Sequence, residues 1–288
     1  MNLTDEHEIK ALLERTGFRF SKSKGQNFLR RAWVPERIAE CAGLTDGETG
    51  VLEVGPGIGC LTVELAKRAK RVLSVELDEG LRPVLAETLR GIENVTVLFA
   101  DVLKLDLPAL AAESFPDCAR AVVCANLPYN ITTPALTAFV KAGCFERITV
   151  MIQREVARRV LAKENTPEYG AFTVLMQWHT KPEALFDVPP ECFIPAPKVT
   201  SSVIRLDRRD APPAAVRDER QMFALVRAAF NQRRKTLCNA MMNGLGLSRE
   251  QALAALADCG LDPMVRGEAL GLKQFAALSD TFSEKLKN

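Results

Sequence analysis

Histidine is scarce in this sequence, and its cysteines are not arranged for metal binding. The chain has only His7 and His179, and neither lies at metal-ligand spacing from a cysteine. The eight cysteines include no C-x-x-C pair. We therefore expect no metal, and we interpret the cysteines as reduced thiols that lie mostly in the core.

Long apolar segments are also absent. No stretch approaches the length that spans a membrane, and charged residues begin at Asp5, so the amino-terminal segment does not resemble a signal peptide. These absences predict a cytoplasmic protein without membrane contact. The net charge of +2 is too small to indicate a polyanionic partner by itself. Any argument for nucleic acid must therefore depend on where the cations cluster.

A glycine-rich turn follows the first long apolar strand. Val51-Leu52-Glu53-Val54 leads directly into Gly55-Pro56-Gly57-Ile58-Gly59. Glycines between a strand and a helix let the backbone approach a ligand and leave amides free to bind it. The spacing differs from the G-x-G-x-x-G of dinucleotide folds, so a pyrophosphate cradle is the less favoured interpretation. We expect an amino-acid-like part of a ligand here.

Three further strands are each followed by a polar residue: Glu76, Asp101 and Asn126. Glu76 lies 21 residues after Gly55, where an acidic side chain commonly binds ribose hydroxyls, and Asp101 can accept from an adenine amino group. One such residue is ordinarily a solvated strand end. Three in succession follow the rule for ligand sites in open α/β sheets.

The loop Asn126-Leu127-Pro128-Tyr129 is our candidate reaction centre. The Asn126 amide oxygen can accept a hydrogen bond from an exocyclic amine, and Pro128 biases Leu127 toward an extended backbone that aims its carbonyl at the same amine. Tyr129 adds a flat surface for stacking, so the loop can hold the amino group of a base taken out of its helix. The alternative is an Asx-turn in which Tyr129 packs as an ordinary core residue.

Cations cluster in three segments that suit phosphate contacts. The first alternates with Phe18, Phe20 and Phe28, as in surfaces that bind both phosphates and bases. The alternative is a solvated, partly packed arm for the first segment and a solvated helix surface for the other two, with internal pairing to acidic residues also open for the last. The candidates are Arg15, Arg19, Lys22, Lys24, Arg30 and Arg31 in the arm, Arg154, Arg158 and Arg159 after the fifth strand, and Arg233, Arg234 and Lys235 near the carboxyl terminus.

The order of strand signals predicts an α/β fold with a seven-stranded sheet and a smaller helical C-terminal domain. We expect an N-terminal helix and basic arm at 1–30, a catalytic domain at 31–207 and an RNA-contacting domain at 208–288, after a linker containing Pro212-Pro213. The expected strands are Val51–Val54, Arg71–Val75, Val95–Phe99, Ala121–Cys124, Ile148–Ile152, Thr173–Trp178 and Ser202–Leu206.

Phe193 lies in a proline-rich segment, 188–197, that we expect to lack regular structure while holding the aromatic ring rigidly. A fixed ring suits a second stacking wall for a base. The alternative is a core residue beneath a loop.

The sequence resembles the S-adenosylmethionine-dependent methyltransferases with a Rossmann-like sheet, and among them the ribosomal RNA adenine dimethyltransferase family. The resemblance implies that the cofactor lies against Asn27, Leu29, Gly55, Gly57, Glu76, Asp101 and Asn126, and the target adenine between Tyr129 and Phe193. The motifs that carry it are Gly25-Gln26-Asn27-Phe28-Leu29, Glu53-Val54-Gly55-Pro56-Gly57-Ile58-Gly59, Val75-Glu76-Leu77-Asp78, Asp101, Asn126-Leu127-Pro128-Tyr129-Asn130, Phe193-Ile194-Pro195 and Phe230-Asn231-Gln232-Arg233-Arg234-Lys235-Thr236.

The resemblance implies N6 dimethylation of adenines in small-subunit ribosomal RNA, with the assembling 30S particle as partner and a monomeric enzyme. The adenine amine is a poor nucleophile, so acceptors at Asn126 and Leu127 would favour its rehybridisation, and its proton can pass to water. Two alternatives stay open. One is an enzyme acting on a large-subunit adenine or on DNA, and the other is an assembly factor that binds RNA without turnover.

Overall fold

The structure is a computed structural model that describes residues 1–18, 27–44 and 47–285. By the pattern of its contacts the chain divides into two compact units: Met1–Ala157 with Lys181–Arg208, and Arg158–Thr180 with Arg209–Asn288. Across the described ranges, no helix has the length and apolar character needed to cross a bilayer.

The first unit contains the sheet that positions the candidate site. The strands are β1 (Phe28–Leu29), β2 (Thr49–Val54), β3 (Arg71–Glu76), β4 (Val95–Phe99), β5 (Arg120–Asn126), β6 (Arg147–Gln153), β7 (Thr180–Val188), β8 (Phe193–Ile194) and β9 (Ser201–Arg208). Seven of them form one sheet in the order β4-β3-β2-β5-β6-β9-β7, and β1 and β8 form a separate pair. The predicted seven-stranded α/β sheet is confirmed.

Strand direction brings the candidate residues to one edge of the sheet. The pairs β2–β3, β2–β5, β3–β4 and β5–β6 are parallel, so the carboxyl ends of these five strands lie at the same edge. β9 is antiparallel to β6, with Ser201 opposite Gln153. The amino end of β9 therefore lies at this edge as well.

Amphipathic helices cover the sheet, and others build the second unit. In the first unit, Ile9, Leu12 and Leu13 form one buried face of the first helix. The helices are α1 (Glu6–Thr16), α2 (Trp33–Cys41), α3 (Cys60–Ala66), α4 (Arg82–Thr88), α5 (Leu107–Ser114), α6 (Thr132–Ala142), α7 (Arg154–Leu161), α8 (Ala171–His179), α9 (Glu219–Asn231), α10 (Leu237–Leu245), α11 (Arg249–Asp258) and α12 (Leu272–Lys285).

The second unit has its own core, built from α8 to α12 around residues such as Trp178, Leu225, Phe275 and Phe282. The helical character predicted after the linker is confirmed. Our division placed 158–180 in the catalytic domain, whereas contacts group this segment with the helical unit. The reason is packing, because Val174 and Trp178 on α8 belong to the helical core.

The predicted strand Thr173–Trp178 is wrong, since these residues lie in α8. The Thr173 hydroxyl accepts from the Gly170 amide and donates to the Arg159 carbonyl, which fixes the first turn of a helix. Threonine, valine and tryptophan favour strands on average, but packing against the helical core overrides that preference. The seventh strand is instead β7, an edge strand in which Pro182 is tolerated.

The proline-rich segment contains more regular structure than we expected. Phe193 and Ile194 form β8, which pairs antiparallel with β1 so that Leu29 lies opposite Phe193. The Arg30 amide also donates to the Cys192 carbonyl at 2.9 Å. These backbone bonds tie the described end of the N-terminal arm to 192–194.

All eight cysteines are free thiols, in agreement with the interpretation of reduced residues. Cys60, Cys124, Cys192 and Cys238 are buried, and the other four are partly exposed. Burial raises the pKa of the Cys60 thiol to about 12 and that of Cys124 well above its usual value. The core prediction therefore holds for half of them.

Candidate active site

One cleft at the carboxyl edge of the sheet brings the predicted cofactor residues together. With the space that is open to solvent included, the cleft encloses about 1170 Å³. The lining includes Asn27, Leu29, Gly55, Gly57, Glu76, Asp101 and Asn126, and the loop residues Leu127, Pro128 and Tyr129.

The glycine turn approaches both neighbouring segments closely. Gly55 has φ +70° and Gly57 has φ +59°, a backbone region that favours glycine. A Cβ atom at Gly55 would lie 3.2 Å from Pro128 Cδ, and one at Gly57 would lie 3.1 Å from Phe28 Cδ1. Side chains at these positions would crowd the cleft, so the glycines keep its floor open.

Glu76 ends β3 with a buried carboxylate, 7% exposed, at the cleft. Its Oε1 accepts from the Asp78 amide at 2.8 Å. Burial raises the pKa of Glu76, while hydrogen bonds from the Asp78 and Gly57 amides act in the opposite direction. A buried carboxylate beside a glycine turn is suited to bind hydroxyl groups of a ligand.

A second buried carboxylate, Glu53, also lines the cleft and was missed as a functional candidate by the sequence reasoning. It is 1% exposed, and its Oε2 accepts from Ser74 Oγ at 2.6 Å and from Thr62 Oγ1 at 2.7 Å. Burial raises the pKa of Glu53 to about 7, against the opposing effect of the two hydroxyls. The sequence showed only an acid within an apolar strand, with no indication of which way it pointed.

Asp101 lines the cleft, but part of its hydrogen-bonding capacity is used to stabilise the local backbone. Its Oδ1 accepts from the Leu103 amide at 3.1 Å, and Lys104 Nζ lies 3.7 Å from Oδ2. The residue thus caps the short 3-10 turn 102–104. Each carboxylate oxygen can accept more than one hydrogen bond, so a role toward a ligand is compatible with this cap.

The loop after β5 presents two acceptors at the cleft. Asn126 pairs with Met151 at the end of the parallel ladder, and the Leu127 amide continues it by donating to the Met151 carbonyl at 3.1 Å. The Pro128 carbonyl accepts from the Ile131 amide and the Thr132 hydroxyl. In the part of the chain that the structure describes, no donor is bonded to the Asn126 side chain or the Leu127 carbonyl.

Tyr129 follows these acceptors on a 3-10 turn, 129–131. Its hydroxyl forms a 2.7 Å hydrogen bond with Ser201 Oγ at the amino end of β9. Burial raises the pKa of Tyr129, and the bond to Ser201 acts in the opposite direction. No local signal in the sequence pointed to Ser201, which is 72 residues away and joins the site only through strand direction.

Phe193 is buried in the core of the first unit, 2% exposed, and is not among the residues that line the cleft. It pairs through its backbone with Leu29, which does line the cleft. A base could stack on its ring only after neighbouring side chains moved. Its role as a stacking wall stays a prediction, and the geometry favours the alternative of a core residue.

The arm contributes Asn27 and Leu29 to the cleft, whereas Arg19, Phe20, Lys22, Lys24, Gly25 and Gln26 lie outside the described residues. Two arm cations are engaged internally. Arg15 Nε lies 2.9 Å from Glu87 Oε1, and Arg30 pairs with Glu6 at 2.9 Å. The partly packed alternative therefore applies to Arg15 and Arg30.

The remaining cation candidates differ in whether their side chains already have partners within the protein. Arg154 lies 3.7 Å from Asp187. Arg233 donates to the Pro167 carbonyl at 2.9 Å and lies 3.6 Å from Glu268. Arg234 and Lys235 are exposed on the turn between α9 and α10. Within the run of three, Arg234 and Lys235 are thus better placed for an external phosphate than Arg233.

The mixed sheet, whose parallel strands form the cleft edge, together with the glycine turn and the Asn-Leu-Pro-Tyr loop defines a Rossmann-like methyltransferase. Residues 17–282 match the family described as ribosomal RNA adenine dimethylase. The ribosomal RNA small subunit methyltransferase A of Geobacillus thermodenitrificans is 46% identical over 275 residues, covering 94% of this chain and 94% of that protein. The chain belongs to the ribosomal RNA adenine dimethylase family.

Solved structures of similar fold include two methyltransferases. The 23S rRNA methyltransferase ErmE is 30% identical, with a TM-score of 0.67, and the match covers 89% of this chain and all of that one, 100%. A dimethyladenosine transferase from Plasmodium falciparum has a TM-score of 0.74 at 23% identity, covering 89% of this chain and 98% of that one. The second likeness shows the fold alone.

Proposed function

We propose that the chain uses S-adenosylmethionine to dimethylate the N6 amino groups of two adjacent adenines near the 3' end of small-subunit ribosomal RNA. The observation that carries the chemistry is the meeting of Asn126 and the Leu127 carbonyl, both without described donors, with Glu76 in one cleft. The choice of small-subunit RNA rests on the relative named for that subunit, at 46% identity, against 30% for the 23S enzyme.

The residues of the cleft suit S-adenosylmethionine. Gly55 and Gly57 leave a space that a Cβ atom at either position would narrow, and this space suits the amino-acid part of the cofactor. The buried Glu76 carboxylate suits the ribose hydroxyls. Asp101 would accept from the adenine amine of the cofactor, and Asn27 and Leu29 line the same cleft. When bound, the cofactor supplies a methyl group on a positively charged sulfur.

The reaction loop prepares the target amine. The Asn126 amide oxygen and the Leu127 carbonyl accept its two hydrogens, which concentrates the lone pair on nitrogen, and Tyr129 stacks on the base. Alignment of the amine with the methyl group of the cofactor would supply the rest of the rate enhancement through proximity and orientation. The proton released after transfer passes to water, so no histidine is needed.

Exposed cations would hold the RNA. Arg234 and Lys235 suit phosphates by exposure, while Arg154 and Arg233 would have to exchange internal partners for them. We expect the enzyme to act as a monomer on an assembling 30S particle. Such a substrate is consistent with the predicted cytoplasmic location.

Mapping methylated adenines tests this function. Ribosomal RNA from cells with and without the protein would be digested and analysed by mass spectrometry. We expect N6,N6-dimethyladenosine in small-subunit RNA only when the protein is present, and purified protein with S-adenosylmethionine should restore it in particles from the deficient cells. Methylation of large-subunit RNA instead would favour the alternative substrate. An unchanged pattern, with no transfer in vitro, would favour a non-catalytic assembly factor.

A further inference from the structure

A hydrogen bond joins the reaction loop to the amino end of β9. Tyr129 Oη and Ser201 Oγ lie 2.7 Å apart, and Ser201 is 0% exposed. Because β9 is antiparallel to β6, Ser201 lies opposite Gln153 at the edge where the cleft opens. A buried serine is therefore placed beside the aromatic ring that we propose stacks on the target base.

Comparison with the next residue, Ser202, distinguishes this contact from ordinary strand packing. Ser202 is also buried, 5% exposed, and its hydroxyl donates to Asp187 Oδ1 at 2.5 Å. Successive residues of a strand point to opposite sides of the sheet. Two adjacent hydroxyls of similar burial thus have different partners, and the partner of Ser201 is a residue that lines the cleft.

We propose that Ser201 is a positioning residue for methyl transfer, acting through the Tyr129 hydroxyl. This inference rests on the proposed function. The bond anchors the far end of the ring, while the backbone of the 3-10 turn anchors the near end. Without it the ring can change its χ1 angle, and the base stacked on it no longer holds its amine at Asn126 and the Leu127 carbonyl. Small displacements of this kind reduce the rate of reaction more than the affinity for substrate.

A double-mutant cycle tests the proposal. Ser201→Ala removes one hydroxyl, and Tyr129→Phe removes the other while keeping the ring. Single-turnover methylation of small-subunit particles would be measured for wild type, both single variants and the double variant. The KM for particles and the cofactor affinity would be measured in parallel. Ser202→Ala is the matched control, because it removes the adjacent hydroxyl and its bond to Asp187.

Each single variant should lose about tenfold in rate with unchanged cofactor affinity and KM, and the double variant should be no slower than either. Ser202→Ala should react at the wild-type rate. A wild-type rate for Ser201→Ala, or a double variant whose losses multiply, would overturn the proposal. Should Ser201→Ala fail to fold by circular dichroism, an undiminished rate for Tyr129→Phe would overturn it equally. Absence of methylation by wild type would instead refute the proposed function, and this inference with it.

Discussion

Gly55 and Pro128 are so close that a Cβ atom on Gly55 would lie 3.2 Å from Pro128 Cδ. The glycine turn and the reaction loop come from β2 and β5, which are neighbours in the sheet. Their contact places the turn that we propose binds the cofactor next to the loop that we propose holds the target amine. A change at Gly55 should therefore affect both parts of the cleft.

Gly55→Ala should destabilise the fold and weaken cofactor binding. The φ of +70° is unfavourable for alanine by roughly 1–2 kcal/mol, and the contact with Pro128 adds to this cost. Gly91→Ala is a suitable control, because Gly91 has φ +81° with no atom near its would-be Cβ. Chemical denaturation should show destabilisation of both variants, larger for Gly55→Ala, and calorimetry should show weaker cofactor binding only for Gly55→Ala. Equal cofactor affinity in the Gly55→Ala and Gly91→Ala variants would argue against a close approach of Gly55 to the cofactor site.

Glu76→Ala should weaken S-adenosylmethionine binding severely, because it removes the buried carboxylate that we assign to the ribose. Titration calorimetry measures the change directly. Glu79→Ala serves as control, since Glu79 is an exposed acid three residues on that pairs with Arg82. If the Glu76→Ala variant bound the cofactor with wild-type affinity, Glu76 would not be a cofactor-binding residue.

Glu53→Gln should change how stability depends on pH. The folded-state pKa of Glu53 is about 7, above the ordinary carboxyl value of 4.5, so the folded protein holds this proton more tightly than the unfolded chain. Its contribution is fully present below pH 4.5 and is lost as pH rises through 7. Glutamine does not titrate, so the variant does not lose this stability. Between pH 5 and pH 8 its free energy of unfolding should rise by on the order of 3 kcal/mol relative to that of wild type. Denaturant unfolding at several pH values checks it. Parallel curves for the two proteins would show that Glu53 does not carry a raised pKa.

Substitution of Arg234 and Lys235 by alanine should weaken binding to ribosomal RNA and flatten its salt dependence, by roughly one unit of slope for each phosphate that the variant no longer neutralises. Arg233→Ala should change the slope less, because Arg233 already donates to the Pro167 carbonyl and lies near Glu268. Affinity across a salt titration separates the two, with cofactor affinity as the control. An unchanged slope for Arg234 and Lys235 would move the RNA contacts to the N-terminal arm and Arg154.

The cleft could be predicted from the sequence because its signals are local. Glu76 and Asn126 each follow an apolar run that is buried in the parallel part of the sheet, and parallel strands end at a common edge. The glycine turn is equally local, since the positive φ of Gly55 and Gly57 is a property of the residue type.

The features that sequence reasoning missed depend on contacts between distant segments. Thr173–Trp178 has the composition of a strand, yet α8 forms because Val174 and Trp178 pack into a helical core. β7 was missed because an edge strand tolerates polar residues and Pro182. Ser201 reaches Tyr129 only because β9 is antiparallel to β6, which no local pattern records.

Single-turnover methylation by Asn126→Ala tests the central claim most directly. The variant should fold as wild type does but lose on the order of 3 kcal/mol of transition-state stabilisation, about a hundredfold in rate, because one acceptor on the target amine is gone. Cofactor affinity must be measured in parallel, since Asn126 also lines the proposed cofactor cleft. Methylation of small-subunit particles at the wild-type rate, with the cofactor saturating, would place the reaction centre elsewhere.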